Sequence, residues 1–176
     1  DNFHSTHSDE NRKWAYYVYE KLQEGGYVTR RSMKQLYDEE AKRFLPDRFV
    51  KGTCPICKTE DQWGDVCEKC NSTYEPTDLI DPKSVFTGTT PVLKESEHLW
   101  VELAKIQEFL REWTAAEGHL QPEIKCFIDA WLEGGLHDWC ISRDAPYFGF
   151  EIPGEEGKFF YVWLDAPIGY IASSDN

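Results

Sequence analysis

Cys54-Pro55-Ile56-Cys57 and Cys67-Glu68-Lys69-Cys70 repeat one pattern nine residues apart, and their reading decides how the surrounding chain folds. A Cys-x-x-Cys pair makes a tight turn that aims two sulfurs at one point. A second pair at this spacing folds over the first and closes a tetrahedral thiolate cage. Zinc is the expected ion, one per chain and structural. Asn71, just past the second pair, tolerates the left-handed backbone that such a turn's exit often needs, and Lys58, just past the first, offsets thiolate charge. The competing reading is a pair of disulfides or four unrelated thiols, and the redox compartment decides between them.

The chain opens Asp1-Asn2-Phe3-His4 without a basic-then-apolar leader, and no stretch of it reaches the ~20 apolar residues of a membrane span. The expectation is a soluble cytoplasmic protein with no membrane partner, where thiols stay reduced and the zinc reading prevails. Cys126 and Cys140 lie among apolar neighbours and are expected as small buried hydrophobes outside the metal site. A content of 40% hydrophobic and 15% aromatic residues supports one or two modest cores. The formal charge of −13, made more negative by four metal-bound thiolates, repels phosphate backbones, so nucleic acid would need a local basic surface. Arg30, Arg31, Lys34, Lys42, Arg43, Arg48 and Lys51 are the candidates, and ordinary solvated strand faces are the alternative.

Residues 8–24 read as a helix capped by Ser8, with Trp14, Val18 and Leu22 on one face and Gly25-Gly26 as its stop. Strand-like runs follow at 32–37 and 43–50, separated by Asp38-Glu39-Glu40. Beyond the second cysteine pair, 76–91 reads as irregular chain around the metal lobe, and 96–103 as a strand. Ile106, Phe109, Leu110 and Trp113 mark one amphipathic helix. Ile124, Phe127, Ile128, Trp131 and Leu132 mark the next, between Pro122 and Gly134-Gly135, and both helices should pack on something. Residues 147–152 and 158–164 read as an aromatic hairpin, and Asp165-Ala166-Pro167 as a capped helix start. The chain ends soon after and lacks an initiator Met, so it reads as an excised fragment.

Three stretches carry a resemblance. Phe44-Leu45-Pro46-Asp47-Arg48-Phe49-Val50-Lys51-Gly52-Thr53-Cys54-Pro55, Trp139-Cys140-Ile141-Ser142-Arg143-Asp144 and Phe160-Tyr161-Val162-Trp163-Leu164-Asp165-Ala166-Pro167-Ile168-Gly169-Tyr170 occur in the order found in bacterial methionyl-tRNA synthetases, class I aminoacyl-tRNA synthetases. The opening Asp1-Asn2-Phe3-His4-Ser5-Thr6-His7-Ser8 resembles them too. The resemblance implies an α/β fold, an α+β fragment in which a zinc-knuckle connective lobe is inserted in a Rossmann-type catalytic domain of which only part is present. Residues 1–26 would end the first Rossmann half, and 27–140 would be the insertion with knuckles at 54–70 and helices near 105–134. Residues 141–176 would begin the second half.

The implied reaction joins methionine to ATP, taken with Mg2+, giving methionyl-adenylate and then methionyl-tRNA. The implied partners of the full-length enzyme are methionine, ATP and methionine tRNA, with weak or no tRNA binding by the fragment alone. By resemblance, Trp163, Ala166, Pro167 and Tyr170 line the methionine site, Trp139 is a nearby ring, and Arg143 is catalytic, aiding substrate binding or transition-state charge. A thioether packs well at aromatic edges, so rings with one small residue suit methionine. Taken without the motif, Trp163 and Tyr170 read as core residues of an aromatic strand, and Arg143 as a surface partner of Asp144. His4 is a candidate for contact with adenylate or the tRNA end, whereas His7 reads as a polar residue before a helix cap.

Neither the HIGH nor the KMSKS motif of class I synthetases occurs in the sequence, so the fragment is expected to be inactive alone. The alternative is a free-standing zinc-ribbon module that binds nucleic acid or protein. Against it stand the acidic charge and the aromatic C-terminal stretch. A hydrolytic editing lobe is a third reading, opposed by a metal whose four thiolates leave no open position for water.

Overall fold

A computed structural model describes residues 5–174. His4 and the rest of Asp1-Asn2-Phe3-His4 lie outside the described residues. The fold is mixed α/β, with four helices and antiparallel sheet among the described residues. It divides into two compact units: Ser32–Glu97 with Asp144–Phe148, and the remainder of the described chain.

In the larger unit, helix α1 (Asp9–Glu24) starts where Ser8 was read as its cap, the hydroxyl accepting the Asn11 N–H at 3.1 Å. Its buried stripe is Asn11, Ala15 and Tyr19, one position away from the expected Trp14, Val18 and Leu22, which flank the core partly buried. Helix α4 (Val162–Ser174) packs against it, and small buried residues on both, Ala15 with Gly169 and Ala172, permit that approach. The core adds Leu99, Val101, Ile141, Phe150, Ile152, Phe160, Leu164 and Ile168, with Tyr19 edge-on to Phe160 at 5.3 Å.

Strands β1 (Val28–Asp38) and β2 (Arg43–Phe44) form a hairpin with Tyr37 opposite Phe44 and Asp38 opposite Arg43. The strand expected over 43–50 is broken. After Phe44 the chain passes Pro46 into a 3-10 turn at Asp47–Phe49, since proline cannot donate to a ladder, and resumes as β3 (Val50–Thr53). Strands β4 (Gln62–Trp63) and β5 (Ile80–Ser84) flank β3 in an antiparallel sheet ordered β4-β3-β5, beside the knuckles. The smaller unit's core is Leu36, Leu45, Val50 and Leu79, with Phe49 and Tyr74 against it. Asp38 is fully buried, and its carboxylate accepts the N–H groups of Glu40 and Ala41 at 3.0 and 2.9 Å and the Thr87 hydroxyl at 2.7 Å.

Strand β6 (Val92–Val101) starts earlier than expected and carries Trp100 opposite Cys140 and Val101 opposite Trp139 of β7 (Trp139–Cys140). The four-stranded sheet runs β2-β1-β6-β7. Helices α2 (Gln107–Ala115) and α3 (Pro122–Gly134) fall where their periodicity places them, with Pro122 in the first turn of α3. They pack on each other, but Phe109, Phe127 and Trp131 stay exposed, so the apolar faces are only partly covered. Cys126 shares that exposure and Cys140 is half-buried, which corrects the expectation of two buried thiols. The reason for Cys126 is that α3 buries fully only Leu132.

The aromatic hairpin is smaller than read. Strand β8 (Ser142–Asp144) pairs with β9 (Lys158–Phe160), while 147–152 contributes a bridge between Glu151 and Phe159, the Phe160 N–H donated to the Phe150 carbonyl at 2.9 Å and the Ile152 N–H donated to the Lys158 carbonyl at 2.7 Å. The apolar run 162–164 belongs to α4, not to a strand, so Asp165 is a buried residue of the helix's first turn instead of its cap. A short apolar run fits either period, and the helix prevails because Leu164, Ile168 and Ala172 bury one stripe at four-residue spacing. No helix among the described residues is long and apolar enough to cross a membrane.

Candidate functional site

The two cysteine pairs sit in turns with the same hydrogen bonds. In the first, the Cys54 N–H donates to the Thr59 carbonyl at 2.9 Å and the Lys58 N–H to the Cys54 carbonyl at 3.1 Å. In the second, Cys67 N–H reaches the Ser72 carbonyl at 3.0 Å and Asn71 N–H the Cys67 carbonyl at 2.8 Å. Lys58 and Asn71 both take the left-handed conformation, with φ of 61° and 56°. Asn71 was expected to suit it; Lys58 adopts it as well, and its ammonium donates to the Pro55 carbonyl at 2.7 Å.

All four sulfurs lie within 4.8 Å of one another. Cys54 Sγ is 3.9 Å from Cys70 Sγ, and Cys57 Sγ is 3.5 Å from Cys67 Sγ. Zinc–sulfur bonds of about 2.3 Å in a tetrahedron put sulfurs about 3.8 Å apart, whereas a disulfide needs about 2.05 Å. The donor set therefore fits one metal ion of zinc's size, and all six cysteines are free thiols. Backbone N–H groups of Ile56, Cys57 and Cys70 point at sulfur at 3.4 Å, which stabilises thiolate charge.

Two residues escaped the sequence reading. The hydroxyl of Thr59 lies 3.2 Å from Cys57 Sγ, and that of Ser72 lies 3.3 Å from Cys70 Sγ. The repeated hydroxyl two positions past each pair was the available signal. The Thr59 hydroxyl and backbone hold the metal-free Cys57 thiol down at about 6, while burial pushes Cys67 up to about 11. One sulfur is thus poised to ionise first and another favours the cage only with a cation present.

The residues implied for a methionine pocket are brought together by α4. Trp163, Ala166, Pro167 and Tyr170 fall at i, i+3, i+4 and i+7, one helix face, a relation hidden while 162–164 was read as strand. Their rings do not face the core: Trp163 is 64% and Tyr170 82% exposed. Pro167 has no N–H to donate, so the Trp163 carbonyl lacks its intrahelical partner. Trp139 is half-buried, edge-on to Tyr161 at 6.4 Å. Arg143 lays its guanidinium 3.8 Å from the centre of the same Tyr161 ring and donates to the Ser142 carbonyl at 2.7 Å. Tyr161, the shared neighbour, was not singled out in the sequence.

Five of the seven basic residues singled out in 30–51 already have partners. Arg30 is paired with Glu155, Arg31 with Asp138 at 2.6 Å and Lys51 with Asp61 at 2.9 Å. Arg43 and Arg48 rest against the Phe49 ring at 5.1 and 4.9 Å. His7 stacks on Phe150 at 5.1 Å.

The family model described as tRNA synthetases class I (M) matches residues 1–176. Among solved structures, the chain is similar to Mycobacterium tuberculosis methionyl-tRNA synthetase bound by methionyl-adenylate, at 19% identity and a TM-score of 0.61 over 98% of this chain and 30% of that one. The apo form of the same enzyme gives 19% identity and a TM-score of 0.59, covering 99% of this chain and 31% of that one. The chain thus spans about a third of the length of these enzymes. A match along the whole chain, with three motifs in order around a four-cysteine centre, means that the chain belongs to the class I (M) tRNA synthetases.

Proposed function

We propose that this chain is part of a methionine-tRNA ligase, carrying its zinc-bearing connective lobe and one wall of its methionine pocket. Residues 1–26 close the first Rossmann half, 27–140 form the insertion and 141–176 open the second half. The full-length enzyme activates methionine with ATP and Mg2+ and transfers it to methionine tRNA. The observation that carries the reading is the exposed aromatic face of α4: Trp163 and Tyr170 hold large rings in solvent on either side of Ala166 and Pro167. Solvating two such rings is unfavourable unless they receive an apolar ligand or another part of the protein. An unbranched thioether chain fits between two rings over a small residue, and Trp139 is the third ring of the set.

Arg143 is the cation assigned to substrate binding or transition-state charge. Its guanidinium is oriented by the Tyr161 face and two backbone carbonyls, so little rotamer freedom is left to lose. Cys54, Cys57, Cys67 and Cys70 hold one zinc as a structural clasp. Four thiolates fill a tetrahedron and leave no site for water, so the metal contributes folding free energy and the lobe does no hydrolysis. The isolated chain is inactive, and its tRNA binding is weak because the chain is acidic overall and five of its seven candidate cations are already paired or stacked.

Methionine-dependent exchange of pyrophosphate into ATP by the full-length protein tests the reading. Exchange that is specific to methionine and lost in Trp163→Ala supports it. Exchange with another amino acid, or activity indifferent to Trp163, overturns it.

A further inference from the structure

Beside the Arg143 of the methionine reading stand His98, Cys140 and Ser142, which that reading does not use. The register that sets Trp100 opposite Cys140 turns His98, Cys140 and Ser142 to one face of the β6–β7 pairing. His98 is buried, 1% exposed, with Nδ1 lying 2.9 Å from the Ser142 hydroxyl and 3.2 Å from the Ser142 carbonyl oxygen. The Leu99 N–H donates to the same hydroxyl at 2.9 Å and fixes it. The imidazole is thus held in place through Nδ1.

Arg143 approaches from the other direction. Its Nη1 lies 3.6 Å from Cys140 Sγ and donates to the Cys140 carbonyl at 3.4 Å. Burial pushes the Cys140 thiol up, but the hydrogen bond and charge of His98, the Ser142 backbone and Arg143 together bring it below the ordinary value. Cys140 is half-buried and so within reach of a small oxidant. Cys126 offers an internal comparison as the more exposed of the two thiols.

We propose that Cys140 is a peroxide-reactive thiolate, held as the anion by His98 and Arg143 and oxidised to sulfenic acid by hydrogen peroxide or a small alkyl hydroperoxide. The sulfur attacks one peroxide oxygen, an S–O bond forms and the O–O bond breaks. The Cys140 thiol proton passes first to His98, sulfur then loses two electrons to the peroxide, and the leaving oxygen takes that proton back from His98 and departs as water or alcohol. The consequence for catalysis rests on the function proposed above: an oxygen on Cys140 competes for Arg143 Nη1, drawing the cation off its position on Tyr161 and slowing methionine activation.

The test uses the zinc-loaded 176-residue chain at peroxide doses that release no zinc, with dimedone trapping sulfenic acid and peptide mass spectrometry assigning it. Cys140 is expected to carry about tenfold more label than Cys126 despite its lower exposure. Arg143→Gln and His98→Gln should each cut the Cys140 label about fivefold. Because His98 is buried and its variant can fail to fold, the half-exposed Arg143 decides, with zinc content and near-ultraviolet dichroism as folding checks. Site-resolved alkylation by iodoacetamide across about pH 5 to 9 should give Cys140 a midpoint below the roughly 8.5 of an ordinary thiol. Equal labelling of the two cysteines, a Cys140 midpoint at or above that of an ordinary thiol, or a Cys140 label unchanged in a folded Arg143→Gln overturns the proposal. None of these readouts uses methionine, ATP or tRNA, so their failure leaves the ligase reading standing, and a failure of methionine activation leaves them untouched.

Discussion

Cys57 Sγ stands 3.5 Å from Cys67 Sγ, so a first-turn sulfur meets a second-turn sulfur across the knuckles. The contact closes a loop that otherwise rests on two short strands, β3 and β4, with two residue pairs between them. Metal binding therefore supplies much of the order here. Elemental analysis should find one zinc per chain, and Cys67→Ser should lose it together with amide-exchange protection in residues 50–74. An unchanged exchange pattern in metal-free protein with four free thiols would remove the structural role.

The exposed rings of α4 separate stability from function. Trp163→Ala and Tyr170→Ala remove side chains that the fold does not bury, so each should change the chain's stability by no more than about 0.5 kcal/mol. On the function proposed above, each should raise the full-length protein's KM for methionine tenfold or more, about 1.4 kcal/mol of lost binding. Phe160→Ala at a fully buried position gives the contrast, a loss of about 3–5 kcal/mol. Chemical denaturation and steady-state kinetics measure the two effects. A large stability loss in Trp163→Ala with an unaltered KM would return these rings to a packing role.

Much of this was legible because particular residues leave few choices. Ser8, Pro122 and the paired cysteines act through local geometry that any fold must respect, and each holds the position its chemistry required. What escaped was decided by tertiary context. Val162-Trp163-Leu164 fits strand or helix, and only the burial of Leu164, Ile168 and Ala172 selects the helix. That choice turns four separately named residues into one face. Asp38 looked like a turn residue, and its burial depends on Thr87, 49 positions away. Thr59 and Ser72 were readable in principle, since each repeats at the same offset from its knuckle.

Gly64 sits where the chain leaves β4 against the 3-10 turn at Asp47–Phe49. A Cβ there would lie 2.8 Å from the Asp47 carbonyl oxygen and 2.8 Å from Val50 Cγ1, and the first of these is backbone that cannot rotate aside. The Gly64 N–H also donates to that carbonyl at 3.1 Å, so relief of the clash breaks a hydrogen bond. Gly64→Ala should destabilise the four-cysteine unit by about 1–3 kcal/mol and weaken zinc retention in a chelator competition. Retention equal to the parent chain's would mean that the turn yields without cost.

Asp38 makes the acid side of stability testable. Burial opposes its charge, yet the Ala41 and Glu40 N–H groups and the Ser84 and Thr87 hydroxyls outweigh that and hold the carboxyl down at about 2, from an ordinary 3.8. A group depressed on folding stabilises fully above its unfolded pKa, and the contribution is lost as pH falls from about 3.8 toward 2. Asp38→Asn cannot ionise, so it should be less stable than the parent chain near neutrality, and the gap should close across that window. Thr87→Val removes one hydroxyl and should raise the carboxyl, moving the loss to higher pH. Thermal melts of the three chains from pH 7 to about 2 measure this, and the difference between them cancels acid release of the metal, which all three share. Parallel melting curves for the parent and Asp38→Asn through the whole range would show that the buried carboxylate does not govern this limb.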